Sequence, residues 1–252
     1  MALGYRENQL PFQLLAQRLP LRLLRANADC AAAWLLGLSG FLQGREFGAD
    51  AVQRRRYLRS TWELWWPRRA EWQRLNLARS VWRLGGTRPT NHPQRRLAAL
   101  AAIVRAWPQV RAILKSADPT RDAFRVFGNL GDSFWQHHFT LASSRQNSRI
   151  ALLGSSRIAE ILANVIYPAV ISRRPSAWDD YIRLPAELTN RRVETAAARL
   201  FGGNAAFRRA VPSTVAVQQG LLQIYEDFCL RDASDCTRCS FPERVRTWRA
   251  SA

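Results

Sequence analysis

Lysine is almost missing from this chain: of its 38 basic residues only Lys115 is a lysine, and 37 are arginines. Acids are scarce as well, 19 in all, which leaves a net charge of +19. A GC-rich coding sequence explains arginine in place of lysine, but not the shortage of acids. The other source of such a balance is a polyanionic partner that guanidinium forks can grip. Cysteine is sparse too. Four cysteines in 252 residues do not make the disulfide framework of a secreted protein. Long apolar runs are absent: the longest, Cys30 to Leu42, is too short to span a bilayer and is broken by Gly37, Ser39 and Gly40. Met1 to Gln9 has no apolar core and carries Arg6 and Glu7, unlike a signal peptide. A cytoplasmic protein with no membrane contact is expected.

Catalytic signatures are missing as well. No Gly-x-Ser-x-Gly, His-Glu-x-x-His or dinucleotide fingerprint occurs, and Gly154-Ser155-Ser156-Arg157 lacks the Gly-Lys-Ser/Thr ending of a P-loop. Glu160 and Glu187 stand alone, and Asp179-Asp180 has no partner that spacing reveals. Catalytic residues are therefore unassigned, and catalysis by this chain alone is not expected.

What is present is a core. Hydrophobic residues make up 47%, with 10 Trp and 11 Phe, a composition that disordered chains do not have. Period-3.6 patterns recur and period-2 patterns hardly appear, so an all-α bundle of about 9–11 helices is expected. Helices are expected from Pro11 to Pro20, from an Asp29 cap to Gly44, and from an Asp50 cap to Trp66 on a face of Leu58, Trp62 and Trp65. Pro93 should open another, and residues 116–133 read as a loop. Ile150 to Leu153 is the one stretch that reads as a strand or a buried turn, followed by a helix buried through Ile158, Ile161, Leu162 and Val165. Thr189 or Asn190 starts the next, and Ser213 or Thr214 caps the last main helix, with Val217, Leu221, Ile224 and Phe228 as its stripe. The expected organisation is a helical domain over 1–228, with a sub-boundary near 116–133, and a cysteine-bearing tail over 229–252.

The charge is uneven. Residues 1–110 hold 18 basic and 6 acidic residues, a balance of +12; the rest hold 20 and 13, a balance of +7. Within the first part, Arg54, Arg55, Arg56 and Arg59 crowd a helix N-terminus, where they oppose the macrodipole unless an anion sits there. Arg68, Arg69 and Arg74 interleave with Trp62, Trp65, Trp66 and Trp72, residues that stack unpaired bases when exposed and build core when not. Arg95 and Arg96 follow Thr90-Asn91-His92-Pro93 at another helix start, where free N–H groups and guanidinium groups suit a phosphate. These eight, Arg54, Arg55, Arg56, Arg59, Arg68, Arg69, Arg95 and Arg96, are the candidate nucleic-acid contacts for DNA or RNA.

Cys229-x6-Cys236-x2-Cys239 is the candidate metal site, because thiolates two residues apart chelate and a third upstream closes the same site. The spacing is similar to the first three ligands of the iron–sulfur loop in helix-hairpin-helix DNA glycosylases, but Val245 stands where the fourth would fall. Zinc or an iron–sulfur cluster would need a fourth ligand from Cys30, His92, His137, His138 or an acid. The other reading is three ordinary thiols. His137 and His138 point about 100° apart if helical, so one should pack and one face water.

An ordered series of segments resembles the uncharacterised bacterial family called domain of unknown function 2851. It runs through Leu3-Gly4-Tyr5, Pro11-Phe12, Arg88-Pro89-Thr90-Asn91-His92-Pro93, Trp135-Gln136-His137-His138 and Gly154-Ser155-Ser156-Arg157-Ile158. It continues through Asn164, Pro168, Pro185-Ala186-Glu187, Gln218-Gln219-Gly220 and Tyr225 to the three cysteines. The resemblance implies that this chain is the C-terminal helical half, since longer members carry a further half with motifs loosely like a restriction-nuclease core. A protein partner supplying that half is then expected. The leading expectation is a basic helical accessory domain that binds nucleic acid. The alternatives are a protein-interaction domain with an apolar docking patch and an enzyme in its own right.

Overall fold

The computed structural model describes residues 8–42, 52–86, 88–186, 190–202, 211–230 and 236–250. It is all-α. Among the described residues there is no strand, only an isolated bridge between Pro185 and Thr214. The chain divides into two compact units, Met1–Leu162 and Ala163–Ala252. Residues 116–133 lie inside the first.

The first unit opens with α1 (Gln9–Arg18) and α2 (Leu21–Ala26), separated where expected by Pro20, which has no N–H to continue a helix. Asn8 closes the entry by donating to the Arg83 carbonyl (3.0 Å) and accepting from the Arg83 N–H (2.9 Å). Asp29 caps nothing. It lies in a 3-10 turn, Ala28–Cys30, and the next helix, α3 (Ala31–Leu38), has no side-chain cap. That helix ends well short of Gly44, at Ser39-Gly40, where Gly40 takes φ +73°. The proposed Asp50 cap lies outside the described residues. The long helix after it is α4 (Val52–Arg69). Pro67 cannot donate to the Glu63 carbonyl, and the helix stops two residues later.

Small residues let α3 approach its neighbours. At Gly37 a side chain would collide with the indole of Trp65 on α4. Trp65 is 1% exposed and lies tilted against Trp72 at 5.9 Å, and Trp72 in turn packs edge-on against Trp34 at 5.0 Å. Each buried indole removes roughly 200 Å² from water, about 5 kcal/mol as an upper bound. The third wall is α5 (Pro93–Arg105), which buries Leu97, Ala98, Ala101 and Val104. Pro93 opens it as expected, and His92 Nδ1 caps it by accepting from the Gln94 N–H at 3.3 Å.

After α6 (Trp107–Ile113) comes α7 (Pro119–Gly128), a helix where a loop was expected. Asp118 caps it by accepting from the Arg121 N–H at 2.9 Å, with Pro119 at the first turn. Residues 132–153 then run without regular structure, and of the two readings of Ile150 to Leu153 the structure shows a bend and not a strand, with Leu152 and Leu153 buried. The unit ends in α8 (Ser155–Ile161).

A π-helical turn over Leu162–Ile166 follows. Its i→i+5 spacing rotates the later residues, so Val165, expected in the core, is 45% exposed. The second unit contains α9 (Tyr167–Ile171), α10 (Trp178–Arg183), α11 (Arg191–Phe201), α12 (Val215–Ile224) and α13 (Phe241–Ala250). Asn190 caps α11 and Thr214 caps α12. Their core gathers Val193, Ala196, Ala197 and Leu221. No helix among the described residues is long and apolar enough to cross a membrane.

Candidate nucleic-acid interface

The candidate arginines separate according to where their helices point them. On α4, residues fall every 100° around the axis, so Leu58, Thr61 and Trp65 form the buried side. Arg55, Arg56, Arg59, Glu63 and Trp66 lie away from that side and are exposed, while Trp62, half-buried, and Arg69, exposed, flank it. The helix carries six arginines and one acid, Glu63, and no acidic residue in its first turn. A shallow open cavity of about 520 Å³ is lined, among the described residues, by Val52, Arg55, Arg56 and Arg59. Glu63 approaches Arg59 at 3.9 Å, but both side chains are largely exposed, so the pair neutralises little.

The other two candidates on α4 are engaged by partners within the protein. Arg54 donates to the Ala142 carbonyl at 3.2 Å. Arg68 donates to Glu71 at 2.7 Å and lies over the rings of Trp34 and Trp72. That contact holds the Glu71 carboxyl below the usual carboxylate range. The tryptophans divide in the same way. Trp65 and Trp72 are core, whereas Trp66 is 54% exposed, with Trp62 tilted against it at 5.5 Å and the Arg69 guanidinium 5.2 Å from its ring centre.

Arg95 and Arg96 require a correction. Expected at an exposed phosphate site, they are buried, at 0% and 4% exposure. Arg95 is turned into the protein, where it donates to four main-chain carbonyls: Trp135 (2.6 Å), His138 (2.7 Å), Ile150 (3.0 Å) and Ala151 (2.7 Å). The carbonyl dipoles take the place of a carboxylate, and burial pushes the guanidinium pKa down to about 10. Arg96 donates to Asn91 Oδ1 at 2.6 Å. A guanidinium held in this way does not reach phosphate in solvent.

The Arg95 cage nevertheless serves the surface. It gathers the irregular segment 132–153, and that segment grips the first half of α4. Tyr57 of α4 stacks on Phe134 (4.2 Å, 8°), and His138 stacks on Phe134 as well (4.0 Å, 3°). The Trp135 indole N–H donates to the Tyr57 hydroxyl at 2.7 Å. Burial and the nearby Asp132 push the Tyr57 pKa well above the ordinary tyrosine value, so the hydroxyl stays neutral. Asp132 starts the segment by accepting from the N–H groups of Phe134 (3.0 Å) and Trp135 (3.2 Å), and it pairs with Arg105 at 3.6 Å. With Tyr57 and Arg54 fixed from behind, Arg55, Arg56 and Arg59 face outward. The segment's contribution carried no signal in the sequence beyond its aromatic content.

His138 is buried, its Nδ1 paired with the Phe134 carbonyl at 2.8 Å, and desolvation lowers its pKa. His137 is half-buried, its Nδ1 beside the Gln146 carbonyl at 3.1 Å. In the second unit, Cys229 and Cys239 are half-buried and Cys236 is exposed. Among the described residues no group of three or more His, Cys, Asp or Glu side chains is placed to hold a metal ion. Arg199 donates to the Cys229 main-chain carbonyl at 3.0 Å.

Residues 1–184 match the sequence model of a family described as "Protein of unknown function (DUF2851)". The chain belongs to this family. Comparisons with curated proteins and with solved structures give no match. The DUF2851 match covers the whole first unit, and so takes in α4, the Arg95 cage and the segment between them. It does not reach Pro185, Gln218 or the cysteines, which the resemblance had included.

Proposed function

We propose that this DUF2851 protein binds nucleic acid through the outer face of α4. The observation that carries the reading is the arginine-lined cavity formed by Arg55, Arg56 and Arg59. A cation in the first turn of a helix, where Arg55 stands with Arg56 just beyond, is unfavourable by about 0.3–1 kcal/mol against the macrodipole. A phosphate backbone reverses that sign, because it meets the guanidinium groups and the positive helix end together. Among the described residues of the helix, Glu63 is the one acid that competes with phosphate for the arginines.

The mechanism is electrostatic. Guanidinium forks contact phosphate oxygens and displace condensed counterions, so affinity must fall with salt. For three contacts the expected loss is about 20- to 40-fold over a fourfold rise in salt. Fluorescence anisotropy with a labelled oligonucleotide at two salt concentrations measures it. Replacing Arg55, Arg56 and Arg59 together by Gln should remove most of the binding and flatten the salt dependence. Absence of binding to any polyanion at low salt refutes the reading.

A further inference from the structure

We infer that the strand bound along α4 is single, with a base stacked on Trp66. This rests on the reading of α4 as the binding face and names which form of nucleic acid it takes. Arginines alone do not choose between forms, since duplex, single strand and other polyanions all offer negative charge. The choice is made by what lies next to the arginines on the same face.

Trp66 follows Arg59 by seven residues, about 10 Å along the helix, and Arg55 by eleven, about 16 Å. At about 3.4 Å per stacked nucleotide, that distance covers roughly three to five nucleotides. A strand with phosphates at Arg55, Arg56 and Arg59 therefore brings a base to Trp66. Its indole is 54% exposed although Trp65, the next residue, is 1% exposed. The difference is one of helix face and not of composition. Trp62, tilted at 39° and 5.5 Å from Trp66, sets the indole from one side. The guanidinium of Arg69 lies over the ring, 5.2 Å from its centre, and brings a cation to the platform from an exposed, movable side chain. An exposed aromatic beside a line of cations recognises a base whose own face is free, and in a duplex those faces are hidden inside the stack. The recognition tolerates any sequence, because every base has a π-face.

The test is anisotropy on the full chain with three probes: a labelled oligothymidylate about twelve nucleotides long, the corresponding duplex, and heparin, which has charge but no bases. Trp66→Ala should weaken oligothymidylate binding by about 5- to 150-fold and leave heparin binding unchanged. Trp66→Phe should restore part of the loss. Quenching of tryptophan fluorescence by the oligonucleotide, lost in Trp66→Ala, reports the stack directly. If Trp66→Ala binds the single strand as wild type does, or if the wild type holds the duplex as tightly, the stacking inference fails while the basic face stands. If the wild type binds none of the three at low salt, both fail. Circular dichroism of Trp66→Ala separates a lost contact from a lost fold, and Trp66→Phe carries the test should Trp66→Ala misfold.

Discussion

Replacing Arg95 by Met keeps most of the side-chain volume and deletes the charge. The four carbonyls at 2.6, 2.7, 3.0 and 2.7 Å lose their donors together. A hydrogen bond to a charged group contributes about 1.5–3 kcal/mol net. The Ile150 and Ala151 carbonyls are part-buried and can find water, which puts the sum at the low end, about 6–8 kcal/mol. Against this stands the removed cost of burying the guanidinium. Its pKa, down from 12.5 to about 10, places that cost at about 3 kcal/mol. Arg95→Met should therefore destabilise the first unit by about 3–5 kcal/mol.

Calorimetry should show its melting lowered by about 6–20 °C. Hydrogen exchange localises the effect. The Gln146 and Ile150 amides, bonded to the His137 and Gln136 carbonyls at 2.7 and 2.8 Å, should lose protection before those of α5. A variant melting within about 2 °C of wild type, with both amides still protected, refutes the reasoning. It would mean that desolvation cancels the four bonds, as it does in some buried ion pairs.

Two further substitutions probe the same unit. His92, which accepts from the Gln94 N–H, has its pKa lowered to about 4 by burial and by the neighbouring Arg79. A group depressed on folding gives stability that is full above its unfolded value of 6.5 and lost as pH falls towards 4. The loss should be about 2 kcal/mol after solvent screening, and denaturant midpoints of wild type and His92→Asn at several pH values measure it. The cap reading is wrong if the two proteins lose stability in parallel. Gly37→Ala would ordinarily stabilise a helix by about 0.8–1 kcal/mol. Here the new methyl meets the Trp65 indole, and overpacking of about 1–3 kcal/mol should reverse the sign. A rise in melting temperature for Gly37→Ala rules out the close contact between α3 and α4.

The helical class was legible because amphipathic periodicity needs no partner to be seen. Caps were legible where a side chain meets its own helix, as at Asn190 and Thr214. Asp118 and Pro119 carried the same start signal before α7, but the flanking glycines made the stretch read as a loop. Arg95 was not legible in any form. Its four acceptors lie 40 to 56 residues away and are main-chain atoms, which any residue supplies. A buried arginine paired with a distant acid at least leaves an acid to find, whereas one held by carbonyls leaves no trace in the sequence.

The same invisibility bears on the net charge of +19. A sum over residue types treats every guanidinium as available to a partner, but solvation decides which ones are. Arg95 is enclosed by carbonyls, Arg68 is paired with Glu71 beside the indoles of Trp34 and Trp72, and Arg54 is tied to Ala142. Each of these is a structural cation, and together they fix the helix on which Arg55, Arg56 and Arg59 stand. Affinity for a polyanion should therefore follow the few exposed arginines on one face and not the total. Substituting Arg95 would weaken binding only by loosening the segment that holds α4 in place, whereas substituting Arg55, Arg56 and Arg59 would weaken it without lowering the melting temperature, because cations leave the positive end of the helix.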